Sequence, residues 1–159
     1  MFRYQDDCIV FNDEDYFLRN INGIYPREMV LKETNVTDTM CNYLDITIQC
    51  VGNKILYKSY DKRHDFNFDV INYPDLAGNI PSCQSYGVFV SQIIRFCEIN
   101  CFYDGFLEET KRLVDNLLVR GFDIKILKTK FVNFYISEIN RWAKYGKDII
   151  EMTEIFHNR

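Results

Sequence analysis

The spacing of hydrophobic positions divides the chain into an early part with a period of two and a late part with a period of three to four. Residues 1–11 form two short apolar runs on either side of Gln5-Asp6-Asp7, the pattern of a hairpin whose tight turn presents carboxylates. From 13 to 22, Tyr16, Phe17 and Ile21 share one helical side; Gly23 ends the pattern, and after Pro26 residues 28–33 read as a strand. Polar and apolar residues alternate through 42–49 and again through 55–60, with Gly52-Asn53 between, which predicts a second hairpin. Residues 61–82 lose the periodicity, and Asn67, Pro74, Gly78, Asn79 and Pro81 mark a long irregular connection.

Beyond residue 82 the pattern is helical. Tyr86, Phe89, Val90, Ile93, Ile94 and Cys97 form one stripe, with Ser82 or Ser85 available as a cap. Tyr103, Phe106, Leu107, Leu113, Val114, Leu117 and Leu118 form a second, stopped by Gly121, which suits a left-handed cap. Ile124, Leu127, Phe131, Phe134, Tyr135, Ile139 and Trp142 form a third, predicted to run unbroken from 123 to about 145 with its lysines largely off the apolar face. Three amphipathic helices with short links predict a small bundle. The expected class is therefore α+β, with strands and a helix in 1–60, a connection in 61–82 and a helical domain in 83–159.

Composition narrows the class of protein. Hydrophobic residues make up 47% of the 159-residue chain and aromatics 16%, enough apolar surface to offset the entropy of ordering, so disorder is excluded. No apolar run approaches the roughly 20 residues of a membrane span, and the first residues lack the apolar core of a signal peptide, so an intracellular protein of nucleus or cytoplasm is expected. The six cysteines are scattered and no secretory signal precedes them, which predicts free, mostly buried thiols. Cys97 and Cys101 with the distant His64 and His157 make a poor zinc set, and Asn35-Val36-Thr37 is an acceptor tripeptide only in the secretory pathway.

The net charge of -4 conceals an asymmetry: residues 1–50 hold four basic residues against nine acidic ones, whereas 120–147 hold seven basic against two acidic. An acidic end suited to cations followed by a basic segment suited to phosphates is a layout compatible with a nucleic-acid enzyme. On α-helical spacing, lysines opposite an apolar stripe also make an ordinary solvated face. Two neighbouring carboxylates at a rigid turn can ligate Mg²⁺, which prefers hard oxygen donors and few protein contacts, although an Asp-Asp turn is commonly only polar surface.

Arg3-Tyr4-Gln5-Asp6-Asp7-Cys8-Ile9-Val10-Phe11 resembles the Tyr-x-Asp-Asp motif of reverse transcriptases, with apolar strands on both sides. Residues 16–22 and 29–32 are similar in order to the next palm elements, and Tyr43-Leu44-Asp45-Ile46-Thr47-Ile48 with residues 54–60 resembles a primer-grip hairpin. Tyr60-Asp61-Lys62-Arg63-His64-Asp65 stands where such enzymes often carry Tyr-x-Lys-Pro-Thr-Asp, without its proline. Asn72-Tyr73-Pro74, Asn79-Ile80-Pro81, residues 86–92, Arg95 and residues 118–122 resemble the thumb region of Penelope-like and related eukaryotic retroelement polymerases. The likeness extends over nearly the whole chain.

This resemblance implies a partial palm followed by a three-helix thumb, in a nucleotidyltransferase that copies an RNA template onto a DNA primer with dNTP. It assigns Asp6 as the main metal ligand from this segment, Asp7 as its partner, and Tyr4 to the lining of the primer and nucleotide site, with Mg²⁺ in a two-metal arrangement. Lys32 lies near the place of a palm lysine that assists departure of pyrophosphate. Lys125, Lys128, Lys130, Lys58 and Lys62 become candidate contacts to the nucleic-acid backbone, sequence-independent and salt-sensitive. Tyr43, Phe66, Phe68 and Tyr73 could stack on bases or serve as core. In the family a further catalytic aspartate and the fingers precede the Tyr-x-Asp-Asp hairpin, and Met1 starts too late to include them, so an incomplete and inactive site is expected. The alternative is a non-catalytic relic that binds nucleic acid or protein.

Overall fold

The computed structural model describes all residues except 12, 13, 69, 71, 72, 158 and 159, and the side chain of His64. The predicted helix start at Asp13, Asn72 of the 72–74 motif and the side chain of His64 as a zinc candidate therefore lie outside the described residues. The chain is mixed α and β, and it divides into two compact units, Met1–Leu56 and Tyr57–Arg159.

In the first unit, β1 (Phe2–Tyr4) pairs antiparallel with β2 (Asp7–Ile9) in the register Phe2↔Ile9, Arg3↔Cys8 and Tyr4↔Asp7. The predicted first hairpin is present, with Gln5-Asp6 as its two-residue turn. Helix α1 (Glu14–Ile24) follows, and none of its residues is buried. Strands β3 (Met40–Tyr43), β4 (Ile46–Val51) and β5 (Lys54–Ser59) form a sheet in that order, and β5 begins in the first unit and ends in the second. Each of the three hairpins has a two-residue loop with a positive φ at its first position: Gln5 at 49°, Leu44 at 54° and Gly52 at 57°. A left-handed first turn residue matches the twist of the flanking strands, and glycine is the usual occupant because it has no Cβ to clash. Only one of these three positions is glycine.

Two strand expectations are corrected. Residues 28–33 form no strand: Met29 N–H closes a turn onto the Pro26 carbonyl at 3.0 Å, and Val30 is 89% exposed. Strand propensity without a neighbouring ladder leaves backbone groups to solvent, and none of the described strands offers these residues one. The alternating run 42–49 is not one strand either, because Leu44-Asp45 turns the chain and Tyr43 pairs with Ile46. The result is a three-stranded meander in place of the predicted two-stranded hairpin.

The second unit is built on α2 (Ser82–Ile99), α3 (Tyr103–Val119) and α4 (Ile124–Ser137), whose apolar stripes are the three predicted ones. Phe89, Ile93, Cys97, Phe106, Leu113, Val114, Leu117, Leu127 and Phe131 are buried together. Gly121 ends α3 as predicted: at φ 83° it donates to the Leu118 carbonyl, Phe122 N–H donates back to Leu117, and the Phe122 ring is buried over the helix end. Asp123 caps α4 by accepting from the Lys125 and Ile126 amides. The start of α2 departs from expectation, since Pro81 occupies the cap position and neither Ser82 nor Ser85 caps it by its side chain.

The third predicted helix breaks at Glu138, whose backbone leaves the helical region at φ -124°, ψ 38°. A short α5 (Ile139–Trp142) then turns the Trp142 indole into the core, 1% exposed, with the rings of Phe106, Phe131, Phe134 and Tyr135 at 5.5–5.7 Å. After Gly146, α6 (Ile149–Thr153) and the 3-10 turn Glu154–Phe156 bury Met152, Ile155 and Phe156, closing the bundle with a segment beyond the three apolar stripes. The six thiols are free, as expected, but only Cys97 is buried. No helix among the described residues is long and apolar enough to cross a membrane.

Candidate functional site

The hairpin turn fixes where the two leading carboxylates stand. Asp6 occupies the second turn position; Asp7 is one step inside the arm, the first residue of β2, directly opposite Tyr4. Directly paired residues of an antiparallel ladder share a face, so Tyr4 and Asp7 lie side by side while Asp6 projects from the tip. The expectation that both acids sit at the tip is thus met by Asp6 alone. All three side chains are exposed, and among the described residues neither carboxylate makes a hydrogen bond or ion pair. Their oxygens are available to a hard cation. No group of three or more His, Cys, Asp or Glu side chains capable of holding a metal occurs among the described residues. Lys32, the other palm candidate, lies exposed in irregular chain.

Arrangement of the lysines is less uniform than the charge count suggests. At about 100° per residue, Lys125 and Lys128 fall within about 60° of each other, whereas Lys128 and Lys130 are about 160° apart. Leu127 and Phe131 are buried in the arc between those two, so Lys128 and Lys130 flank opposite edges of the buried stripe. Lys128 is half-buried with its Nζ 3.5 Å from His157 Nε2, while Lys125 and Lys130 are exposed. Lys58, on β5, and Lys62, opening the 3-10 turn Lys62–Asp65, are also exposed. The candidates therefore share a unit, but α4 does not gather its lysines on one face.

Three further cations of the basic segment, Arg141, Lys144 and Lys147, are used internally. Arg141 donates to Glu98 at 2.6 Å and Lys147 to Glu151 at 2.7 Å; these bonds raise the pKa of each base and lower that of Glu151. Lys144 Nζ and the Tyr145 hydroxyl both donate to the last carbonyls of α2, those of Cys97 and Asn100. A cation at a helix C-terminus satisfies orphan carbonyls and opposes the helix dipole. Much of the excess positive charge read from the sequence is thus bundle cement.

No protein-family model, curated protein or solved structure matches this chain.

A concavity beside α3 emerges only in three dimensions. Within the second unit, α3 and a wall that includes Arg63, Phe66, Phe68 and Tyr73 line an open groove of about 600 Å³. One wall carries Arg63, Phe66 and Phe68; the other is the helical face Glu109, Arg112, Leu113 and Asn116. Arg63 is gripped by both Asp61 oxygens, at 2.7 and 2.9 Å from its Nε, and its guanidinium lies 5.8 Å from the centre of the Tyr73 ring. That Asp61 contact raises the Arg63 pKa. Phe66 and Phe68 pack with ring centres 5.3 Å apart, yet both remain more than half exposed. Phe66, Phe68 and Tyr73 are among the stacking candidates expected from the sequence, whereas Glu109, Arg112 and Asn116 are not. Their signal was polar recurrence at helical spacing beside Leu113, which is indistinguishable in sequence from a solvated face.

Proposed function

We propose that the chain is a segment of an RNA-directed DNA polymerase, supplying the Asp6–Asp7 hairpin and a thumb-like helical unit, and that alone it does not polymerise. The observation that carries this reading is the Tyr4↔Asp7 register, with two adjacent unpaired carboxylates at the end of a hairpin. Such a turn can offer oxygen ligands to Mg²⁺ without prior loss of an ion pair. In this reading Asp6 is the principal ligand, Asp7 its partner, Tyr4 borders the primer and nucleotide, and Lys125, Lys128, Lys130, Lys58 and Lys62 contact the primer–template backbone. Magnesium would promote attack by the primer 3′ hydroxyl and stabilise the departing pyrophosphate. The resemblance assigns a further aspartate to a preceding palm strand, and catalysis depends on full ligand number and geometry.

The test is metal binding scored separately from polymerisation. Mn²⁺ should broaden the amide resonances of residues 5–8, Asp6→Asn with Asp7→Asn should abolish the effect, and the chain should extend no primer. Templated extension by the chain, lost in Asp6→Ala, would overturn the inactivity; absence of Mn²⁺ broadening at the turn would overturn the metal role.

A second reading, a non-catalytic nucleic-acid-binding relic, is favoured by the lack of a third metal-ligating side chain beside Asp6 and Asp7 among the described residues. In that case the two acids are dispensable while the lysines are not. Replacing Lys125, Lys128 and Lys130 by Gln should flatten the salt dependence of nucleic-acid binding by up to about 0.9 log units per lost phosphate contact. An unchanged slope removes the thumb contact from both readings.

A further inference from the structure

We infer that residues 27–33 pair with the same residues of a second copy of this chain, as an antiparallel two-stranded ribbon centred on Val30. The inference is independent of the Asp6–Asp7 site and of polymerase ancestry. The segment has strand composition and no strand beside it among the described residues. Its backbone from 30 to 33 bonds to no described residue, and Met29 is held by one turn bond, its N–H to the Pro26 carbonyl at 3.0 Å. Met29, Val30 and Leu31 are 50%, 89% and 37% exposed, so three consecutive apolar side chains stand in solvent. Chain with free amides and carbonyls is a template for another strand, and straightening the turn exchanges one internal bond for ladder bonds to the partner.

The charge pattern selects the occupant. Arg27-Glu28-Met29-Val30-Leu31-Lys32-Glu33 is its own electrostatic complement when reversed. Antiparallel pairing about Val30 sets Arg27 against the partner's Glu33, Glu28 against the partner's Lys32 and Met29 against the partner's Leu31, with Val30 beside its own copy on the two-fold axis. A slip of one residue sets Glu28 against Glu33 in one direction and Arg27 against Lys32 in the other, and parallel pairing in register sets every charge against itself. Like charges directly opposite are destabilising, so the same side chains that fit one arrangement reject its competitors. These charges are available: among the described residues Arg27, Glu28 and Lys32 make no side-chain hydrogen bond or ion pair, and Glu33 accepts only from the neutral amide of Asn35, at 2.6 Å. Exposed pairs add little strength each, so the ladder and the apolar residues supply the association and the charges its register. A ribbon this short makes a weak dimer.

Sedimentation equilibrium of the whole chain from micromolar to millimolar concentration should show a reversible monomer–dimer equilibrium. Glu28→Lys and Lys32→Glu, each measured alone, put like charges opposite at both symmetric places and should weaken association about tenfold. Mixed in equal amounts, the two variants recover opposite charges at both places and should associate as the wild type does. Because these side chains are exposed, each variant should keep the wild-type urea transition, which separates loss of pairing from loss of fold. The proposal is overturned if the wild type stays monomeric at millimolar concentration, which would leave the segment to the sheet edge of a different chain. It is equally overturned if either single variant associates as tightly as the wild type, or if the mixture associates no better than its components.

Discussion

The first unit carries the candidate metal-ligating acids Asp6 and Asp7 and buries few side chains; the second carries a large shared core. Among the described residues before Leu56, only Ile9, Tyr25, Thr47 and Ile48 are buried, and α1 contributes none of them. After Tyr57, three long helices and the closing 149–156 segment pack around Phe89, Phe106, Phe131 and Trp142. A two-stranded hairpin is marginal by itself because one ladder and one apolar face offset little of the ordering entropy. The turn at Gln5-Asp6 is thus locally specified but thinly supported, whereas the bundle is over-determined by packing. That difference separates a motif from a site: a motif can be read locally, but a site needs a scaffold that holds it still.

Substitutions in the two units should have unequal effects on stability. The largest effect is expected at Trp142, where Ala would remove the indole from a ring cluster and cost about 3–5 kcal/mol in urea-monitored stability. Ile9→Ala in the first unit should fall at or below the low end for such truncations, about 2 kcal/mol, and an equal loss at both would erase the contrast.

Gly105→Ala comes next. A Cβ there would lie 2.6 Å from Asn100 Oδ1, which accepts from the Ser59 amide at 3.1 Å, while Asn100 Nδ2 donates to the Phe96 carbonyl at 2.9 Å. Moving the buried amide aside leaves those partners unpaired, at a cost of about 1–3 kcal/mol. Protection of the Ser59 amide from hydrogen exchange should fall with it, and an unaltered amide would show that Asn100 is not what holds Ser59 against the α2–α3 corner.

The smallest expected effect is a gain: Gln5→Gly should relieve the left-handed turn residue and stabilise the first hairpin by up to about 1 kcal/mol. Cross-strand contacts between Phe2 and Ile9, followed by NMR, should strengthen. If they weaken, the turn owes its conformation to the Gln5 side chain rather than overcoming it.

Local order was legible wherever one short stretch contains its own cause. Gln5-Asp6 and Gly52-Asn53 turn the chain between apolar runs, Gly121 ends α3, and the three stripes give their helices. The same reasoning failed where the deciding partner is remote. Residues 28–33 have strand composition but no strand beside them, Leu44 is bent by the pairing of Tyr43 with Ile46, and the helix predicted to reach 145 yields at Glu138 so that Trp142 can join rings from α3 and α4. For the candidate sites, sequence located the acidic turn, while tertiary structure showed that Arg141, Lys144 and Lys147 serve the bundle.

By itself, the sequence determined the period of each segment, the turn carrying Asp6 and the stop at Gly121, because these depend on steric preferences and the side-to-side alternation of neighbouring residues. Only the tertiary structure decided which apolar faces found cover, which charges were spent on internal pairs, and that Arg63, Phe66 and Phe68 line a groove with α3. Those outcomes depend on surfaces brought together from distant parts of the chain, where burial and ion pairing are settled by the partner and not by the residue alone.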